Sequence, residues 1–403
     1  MPSRSALAAL LSLSLGYFSL GTISLAVVGL NGPIGDDLHV QPATVGILVT
    51  VFALTFAVCA PTAPILLRRW NRKRVLLVGI GLLTVGAALG AVAPNYGFLT
   101  VTRVLGAMGA AVFGPGASAA GALIVPPERR QRALATVFGG MTAAAVLGVP
   151  LASFLGGSLG WRPALLGVAA LSALGFVAVL VFVPEIPSGE PPTVGAYRDA
   201  MRTPATAATV TTTLLFMAAQ FTVYGIAGAY LKDRFGVSSG LISLTLLAFG
   251  VIGVAGNACA PRIAERLGGG RTVSVAVLGL ALGFVLLLVA PHSAPGVGFF
   301  AFWAFFSQLY QAPQQARLVE LVPLQPGLIL ALNAAALYLG MSLGSFIGSS
   351  LLPGLGAGPI PWAALGVLVL AGLAHLSSVR QVASTVAGAE RSATEQDLRA
   401  TSA

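Results

Sequence analysis

Few side chains in this chain of 403 residues could carry chemistry. It contains twelve Asp and Glu, three His and two Cys, and no group of them has the spacing of a metal site, a disulfide framework or a catalytic cluster. The two cysteines, Cys59 and Cys259, lie in separate apolar runs. We therefore expect no enzyme activity, no metal and no cofactor.

The acidic residues all lie outside the middle of the apolar runs. Proton-driven transport usually relies on a buried acid whose proton affinity changes with its surroundings, and this carrier is missing. Asp36 and Asp37, just outside the first apolar run, are the best candidates for proton exchange, followed by Glu128 and His375. An ordinary interfacial role is the alternative for each, and solute exchange or facilitated diffusion without protons stays open.

Arg103 is the one charge inside an apolar run. A lone buried charge is costly, so its side chain should face the interior of a helix bundle and meet carbonyls, water or a substrate anion. We favour a mechanistic role. The alternative is an arginine satisfied by the backbones of neighbouring helices.

Neutral polar and aromatic residues within the apolar runs predict a central cavity between helices 1, 4, 7 and 10. Gln220 and Tyr224 are four apart, and Gln308 and Gln311 are three apart, so each pair shares a helix face. Amides and phenols suit a neutral or amphiphilic solute, although they also commonly join membrane helices. The predicted substrate-binding residues are Tyr17, Asn31, Arg103, Gln220, Tyr224, Gln308, Gln311, Asn333 and Tyr338. The aromatic run 299–306 is predicted to face lipid.

The elements that must position these residues are membrane helices. The chain is 56% hydrophobic and 8% charged, whereas a soluble domain is about a quarter charged. About 20 apolar residues cross a bilayer, which predicts an all-α membrane protein of twelve transmembrane helices. The predicted spans are 7–30, 43–66, 75–93, 98–124, 133–157, 163–183, 206–231, 239–261, 272–290, 296–313, 327–351 and 361–379.

The only long polar interruption, 184–204, divides the chain into two six-helix bundles, 1–183 and 205–380. A polar tail, 381–403, follows, and we expect it to be a frayed helix or disordered. Eighteen Lys and Arg fall on the side of the N-terminus and three on the other. By the positive-inside rule, both termini and the linker are cytoplasmic, in a bacterial inner membrane. These charges serve topology and anionic lipid, so nucleic-acid binding is not predicted.

The segment 146–162, VLGVPLASFLGGSLGWR, is unusually rich in glycine and proline. Such residues are tolerated in membrane helices, where they allow close approach of a neighbour. We predict a hinge or sliding interface involving Gly148, Pro150, Gly156 and Gly157, with close packing and no moving part as the alternative.

The two predicted halves repeat weakly. The segments 59–69 and 256–266 each end the second helix of a half, and an offset of 197 aligns Pro64 with Pro261 and Arg69 with Arg266. Two pseudo-symmetric halves are typical of transporters that rock around a central site.

Over nearly its whole length the chain resembles the major facilitator superfamily. RRWNRKRVLL is similar to the first-loop motif of the family, RVLGAMG to its membrane-arginine motif, and LGVPLASFLGG to its helix-5 antiporter motif. Among its members it looks most like the twelve-helix drug:proton antiporters of the arabinose-efflux and chloramphenicol-resistance branch. The resemblance implies efflux of a small solute, coupled to protons.

The chain departs from this pattern at two acidic positions. Arg68 stands where the first-loop motif has Asp, while Glu265 keeps the acid in the second half; Ser24 occupies the acidic position of helix 1. The acid of the first loop is thought to stabilise the outward-open state, so Arg68 should shift the balance of states. The predicted gating residues at these turns are Arg68, Arg69, Arg72, Glu265 and Arg266.

The sequence therefore predicts a monomeric transporter that exports a small amphiphilic solute, such as a drug, a sugar-like or a nucleoside-like molecule, by alternating access. Its expected partners are this solute, the lipid bilayer and protons. A proton-independent facilitator or importer is one alternative. A membrane sensor or scaffold that has lost transport is another, of a different class.

Overall fold

The computed structural model describes residues 4–67, 69–126, 130–186, 194–322 and 325–401. These residues form sixteen α-helices and one π-helical turn, and none of them lies in a β-strand. Arg68 and Glu128 lie outside the described residues. In chain order the elements are α1 (Arg4–Leu38), α2 (Pro42–Leu66), α3 (Arg72–Ala91), α4 (Tyr96–Leu123), α5 (Arg130–Ala143), the π turn (Ala144–Gly148), α6 (Val149–Ser158), α7 (Trp161–Phe182), α8 (Val194–Arg202), α9 (Pro204–Tyr224), α10 (Ala227–Phe235), α11 (Ser239–Leu267), α12 (Gly269–Val289), α13 (Ser293–Leu309), α14 (Gln311–Leu321), α15 (Pro326–Leu355) and α16 (Ile360–Thr401).

The all-α membrane fold is confirmed, with a break inside two of the predicted spans. Eleven helical segments among the described residues are long and apolar enough to cross a membrane. At the predicted tenth span, 296–313, α13 ends at Leu309 after 17 residues and α14 begins at Gln311. Pro313 explains this break, because proline lacks an N–H and its ring collides with the carbonyl four residues earlier, that of Leu309.

The predicted seventh span, 206–231, is also divided, because α9 ends at Tyr224 and α10 begins at Ala227. Gly225 follows α9 and packs closely on α15: a methyl group added there would lie 2.7 Å from the hydroxyl oxygen of Ser345. Glycine weakens a helix and permits this approach. The turn therefore forms where α9 meets α15.

Several helices run beyond their predicted ends, the first and the last of them farthest. The first continues to Leu38, so Asn31 lies inside α1 and Asp36 and Asp37 lie in its last turn, not outside it. The last continues to Thr401, through the tail for which we expected a frayed helix or disorder. Its many Ala, Gln, Glu and Arg residues have high helix propensity and extend the preceding apolar helix.

Helices α1–α7 pack mainly on one another, as do α9–α16, and we call these sets the N-terminal and C-terminal halves. Successive spans reverse direction, so the turns after α1, α3 and α6 lie at one end of the bundle, as do those after α10, α12 and α15. We name this the His39 end. The opposite end, which contains α8 and the turns after α2, α4, α11 and α14, is the linker end.

Candidate functional site

The halves meet along α2 and α15. Near the His39 end the hydroxyl of Ser345 donates to the carbonyl of Gly46 at 2.9 Å, and that of Thr50 donates to the carbonyl of Ser342 at 3.3 Å. Small side chains on facing membrane helices allow the backbones to approach and exchange such bonds. This contact is therefore a close, polar seam between two otherwise apolar helices.

An aromatic stack continues the same contact toward the middle of the bundle. The rings of Phe56 and Tyr338 lie 3.6 Å apart between centroids, with 19° between their planes. Gly114 of α4 lies against both Phe56 and Tyr17, and its carbonyl accepts a 2.6 Å hydrogen bond from the Tyr17 hydroxyl. Of the predicted substrate-binding residues, Tyr338 thus stacks on Phe56, and Tyr17 lies nearby, bonded to the neighbouring Gly114.

A second contact joins α6 and the π turn to α11. Ser243 of α11 donates to the hydroxyl of Ser153 at 3.0 Å, and Ser153 donates to the carbonyl of Gly29 in α1 at 3.3 Å. Farther along, Gly250 packs so closely on the π turn that a methyl group there would lie 2.5 Å from the carbonyl oxygen of Ala145. Serine hydroxyls and a glycine, which has no side chain, again form the contact between the halves.

The π turn lies in the middle of the glycine- and proline-rich segment. The N–H of Val149 bonds to the carbonyl of Ala144, five residues back, which widens the helix by one residue. Pro150 follows in the first turn of α6 and has no N–H to donate. Helices bend at π turns and prolines, so this position is a structural break in the fifth span.

The predicted hinge residues face two different neighbours. Gly148 and Gly156 pack against α1 of the same half, where a side chain at either position would collide with Thr22 or Leu30. Gly157 faces α11 of the other half, and a methyl group there would lie 3.0 Å from the Cβ of Ser239. One short segment therefore contacts both halves.

Arg103 lies inside the N-terminal half and is only 6% exposed. Its guanidinium donates to the carbonyls of Ile23 at 2.5 Å and Ser24 at 2.9 Å, both in α1, and lies 4.5 Å from the ring centroid of Phe52 in α2. Arg103 also lines a cavity of about 20 Å³ between α1, α3, α4 and α7, the volume of one water molecule. The arginine thus ties α4 to α1 through backbone carbonyls.

The C-terminal half contains a buried polar network that begins at Asn333. The hydroxyl of Thr213 donates to the Asn333 amide oxygen at 2.8 Å and accepts from Tyr310 at 3.2 Å and from Gln314 at 3.3 Å. Arg317 then donates to the amide oxygen of Gln314 at 3.1 Å. Burial lowers the pKa of Arg317 from its ordinary value. The network joins α15, α9 and α14.

The remaining predicted substrate-binding residues are dispersed. Gln311 donates to the sulfur of Met217 at 3.5 Å, Gln308 lies against Gly253 of α11, and Gln220 is buried with its amide oxygen unpaired among the described residues. Asn31 is buried in α1 with its amide facing the carbonyls one turn back.

Tyr224 belongs to an aromatic cluster that corrects the prediction for the run 299–306. Its ring lies 4.6 Å from that of Phe249 and 6.3 Å from that of Trp303, and Phe300 packs on both of these rings. Phe300 and Trp303 are fully buried, so these two residues do not face lipid as predicted. Packing against aromatic rings of neighbouring helices stabilises these two large rings more than contact with lipid would.

The predicted gating residues lie at the linker end. Arg69, Glu265 and Arg266 are exposed, and Arg72 is half-buried in the first turn of α3. Arg68 lies outside the described residues.

The two proton-exchange candidates lie at the His39 end and are both exposed. Asp37 forms an ion pair with Arg162 and accepts a 3.2 Å hydrogen bond from the indole of Trp161. Arg162 in turn stacks on the Trp161 ring, 4.4 Å from its centroid. Asp37 therefore joins the ends of α1 and α7.

Several residues of these contacts escaped the sequence analysis. Ser153 and Ser243 are common small residues, and only the fold brings them together. Gln314 and Arg317 were assigned to a cytoplasmic turn, yet Gln311, Gln314 and Arg317 follow each other at intervals of three, the spacing of one helix face. That spacing would have extended the tenth span.

Two halves of apolar helices that meet along small-residue faces define the architecture of a multi-pass membrane transporter. The family model of the Major Facilitator Superfamily matches residues 11–323 and 209–399. The chain is 29% identical over 369 residues to the inner membrane transport protein YdhP of Escherichia coli K12, covering 91% of this chain and 94% of that protein. It is 30% identical over 376 residues to the uncharacterized MFS-type transporter YfhI of Bacillus subtilis strain 168, covering 91% and 93%.

A solved structure shares the fold. The bacterial homologue of the human lysosomal transporter Spinster, crystallised inward-facing and occupied, superposes with a TM-score of 0.75 at 16% identity, over 95% of this chain and 97% of that one. The chain belongs to the Major Facilitator Superfamily.

Proposed function

We propose that this protein exports a small amphiphilic solute by alternating access, as a monomer in the bacterial cytoplasmic membrane, with residues 1–183 and 205–380 rocking against each other. The observation that carries the proposal is the set of contacts between the halves toward the His39 end, namely the seam between α2 and α15 and the contact between α6 and α11. These contacts are hydroxyl bonds and bare glycine surfaces, which helices can separate and remake with little reorganisation.

The proposed orientation has both termini and the linker end in the cytoplasm, as the distribution of Lys and Arg indicates. The seam would then close the periplasmic side. At the other end α5 packs on α1 and α4, and α14 packs on α9, α11, α12 and α15, each within its own half. Two similar solved structures are described as inward-facing, which agrees with this arrangement.

The proposed substrate surface centres on Tyr17 and Tyr338, next to Phe56. Phenol hydroxyls on flat apolar rings suit a planar amphiphile with few polar groups. Gln220, Tyr224, Gln308, Gln311 and Asn333 would contribute farther into the C-terminal half. We assign Arg103 and Asn31 to bracing the N-terminal half around this surface.

Proton coupling is part of the proposal, with Asp37 ahead of Asp36. A proton on Asp37 would remove the charge that holds Arg162, and so loosen α1 from α7 at the periplasmic end. Among the described side chains no carboxylate lies in the middle of a span. This observation favours a proton-independent facilitator or importer as the second candidate.

Gating at the linker end is assigned to Arg68, Arg69, Arg72, Glu265 and Arg266. Arg68 places a positive charge at the usual acidic position, so Arg68→Asp should favour the state closed at the cytoplasmic side. Labelling of single cysteines at the two ends would measure the shift. Equal labelling of Arg68→Asp and wild type would overturn this assignment.

The experiment is flux of an amphiphilic dye into and out of proteoliposomes, with and without a pH gradient. A matched control is the double variant Ser153→Cys/Ser243→Cys, prepared with Cys59→Ser and Cys259→Ser. The two hydroxyl oxygens lie 3.0 Å apart, so oxidation should link the halves and stop flux, and reduction should restore it.

Each outcome decides one part of the proposal. Flux that follows the pH gradient supports the exporter. Flux that is equal with and without it supports the facilitator. Absence of flux for the dye, a nucleoside and a pentose overturns transport and supports a sensor, and flux that persists in the oxidised double variant overturns the rocking of the halves.

A further inference from the structure

A buried arginine–histidine pair lies in the C-terminal half, outside the seam. Arg317 of α14 is 7% exposed and His375 of α16 is 2% exposed. The terminal nitrogen Nη1 of Arg317 lies 3.2 Å from Nδ1 of His375, and Nε2 of His375 lies 2.9 Å from the hydroxyl of Ser274 in α12. The histidine is thus held between two neighbouring helices.

The partners define the protonation state that fits this site. Arginine has only donors, so Nδ1 of His375 must accept and carry no hydrogen. The ring proton is then on Nε2 and is donated to Ser274, whose hydroxyl is donated to the carbonyl of Gly270 at 3.3 Å. All of these hydrogen bonds can be present together only when His375 is neutral.

The arginine is held by side chains that it can leave. Besides His375, it donates to Gln314 at 3.1 Å and to the hydroxyl of Ser378 at 2.7 Å. It lies on α14, which the break at Tyr310 separates from α13. The segment that carries Arg317 is therefore a short helix joined to the bundle by exchangeable bonds.

The charged groups around His375 are few, and most are cations. On α14 they are Arg317 and the exposed Glu320; the phenol of Tyr310 also faces Arg317. On α12 and α16 they are the exposed Arg271 and Arg380. Helices α9 and α15 contain no Asp, Glu, Lys, Arg or His. Glu320 is the one carboxylate among these groups, and because it is exposed to solvent it would compensate a second positive charge beside Arg317 only weakly.

We propose that His375 is a proton-binding site whose occupancy excludes the docking of Arg317. A proton taken up on Nδ1 replaces the hydrogen that Arg317 donates and adds a like charge beside it, so α14 must move away. By linkage, movement of α14 makes His375 available to a proton. The inference rests on the proposed alternating-access function, to which it adds a coupling site in a chain without a mid-span carboxylate.

The first test is nuclear magnetic resonance of the full chain, labelled with ¹⁵N-histidine, in lipid nanodiscs. The chain has only three histidines, and His39→Gln and His292→Gln assign the other two signals. At pH 8 His375 should be neutral with the proton on Nε2. A proton on Nδ1, or a charged ring, at pH 8 in the wild type overturns the proposal without reliance on any Arg317 variant.

The second arm compares Arg317→Gln with Arg317→Lys. Loss of the neighbouring cation should raise the ratio of protonated to neutral His375 at pH 6 by roughly tenfold, the effect of about one pH unit. Lysine keeps the charge and should leave the ratio near that of the wild type. An unchanged ratio in Arg317→Gln overturns the proposal.

The third arm measures the position of α14. Spin labels at the exposed positions Gln315→Cys and Leu278→Cys, with both native cysteines replaced by serine, report the distance between α14 and α12. It should change between pH 8 and pH 4, and the change should vanish with His375→Gln but persist with His292→Gln. A distance that does not change with pH overturns the inference, even if dye flux in the same preparation upholds transport. A pH-dependent distance without flux supports the site and overturns the exporter.

Discussion

The two halves each bury an arginine, and they hold it in different ways. Arg103 in the N-terminal half donates to two backbone carbonyls of α1 and lies on the ring of Phe52. Arg317 in the C-terminal half donates, among the described residues, to the side chains of Gln314, His375 and Ser378 and to no backbone carbonyl. In both arrangements the terminal nitrogens of a buried cation donate to neutral oxygen or nitrogen acceptors, as a membrane interior requires.

The difference lies in what can release each arginine. A backbone carbonyl of an intact helix does not titrate and does not rotate away, so Arg103 fixes α4 on α1. A histidine ring can take up a proton and a serine hydroxyl can rotate, so both of these partners can release Arg317. The N-terminal arginine is a brace, and the C-terminal one is a contact that can be exchanged.

Arg103→Ala should have the largest effect. It removes two charge-assisted hydrogen bonds, each on the order of 1.5–3 kcal/mol, and should lower the initial dye flux by roughly 10- to 100-fold because α4 is no longer fixed on α1. Flux per folded protein, with size-exclusion chromatography to verify folding, is the measurement. Arg103→Lys should recover little, since one ammonium does not span both carbonyls. Flux equal to that of the wild type in Arg103→Ala would show that transport does not depend on Arg103 fixing α4 on α1.

Arg317→Met should act first on stability and on pH dependence. Its loss leaves buried polar partners unpaired, at a cost of about 1–3 kcal/mol each, so thermal unfolding should occur several degrees lower. Flux at pH 8 should fall less than in Arg103→Ala. A flux loss equal to that of Arg103→Ala, at full thermal stability, would show that the two arginines do the same work.

Gly250→Ala tests whether the contact of α11 with α6 and the π turn is independent of both arginines. The added methyl group would lie 2.5 Å from the carbonyl of Ala145, so the halves should fail to close and oxidative cross-linking of Ser153→Cys/Ser243→Cys should fall several-fold. The nitrogen chemical shifts of His375 should stay unchanged. Gly139→Ala is the matched control, because a methyl group there meets nothing within 4 Å.

Asp37→Asn should have the smallest effect on stability. The pair that it forms with Arg162 is exposed at the His39 end, and such pairs contribute about 0–1 kcal/mol. We expect unfolding close to that of the wild type but a weaker dependence of flux on the pH gradient. Gradient dependence equal to that of the wild type would leave His375 as the remaining coupling candidate.

Much of the fold could be predicted from the sequence, because hydropathy and the residue count of a span are local properties. The all-α membrane architecture was correct, and so was the resemblance to the superfamily. Helix breaks were harder. Pro313 and Gly225 divide two predicted spans, since the sequence alone does not tell whether a neighbouring helix will absorb a proline or glycine without a turn.

The candidate site depends far more on tertiary contacts. The sequence by itself determined that Arg103 must be buried. The residue lies inside an apolar run that is long enough to cross the bilayer, so its charge has to face the interior of the bundle. Only the tertiary structure decided that Arg317 is buried as well and that His375, 58 residues later, accepts from it. Burial of a residue in a polar stretch depends on which helices pack over it, and that choice is made by long-range packing, which no local pattern of residues records.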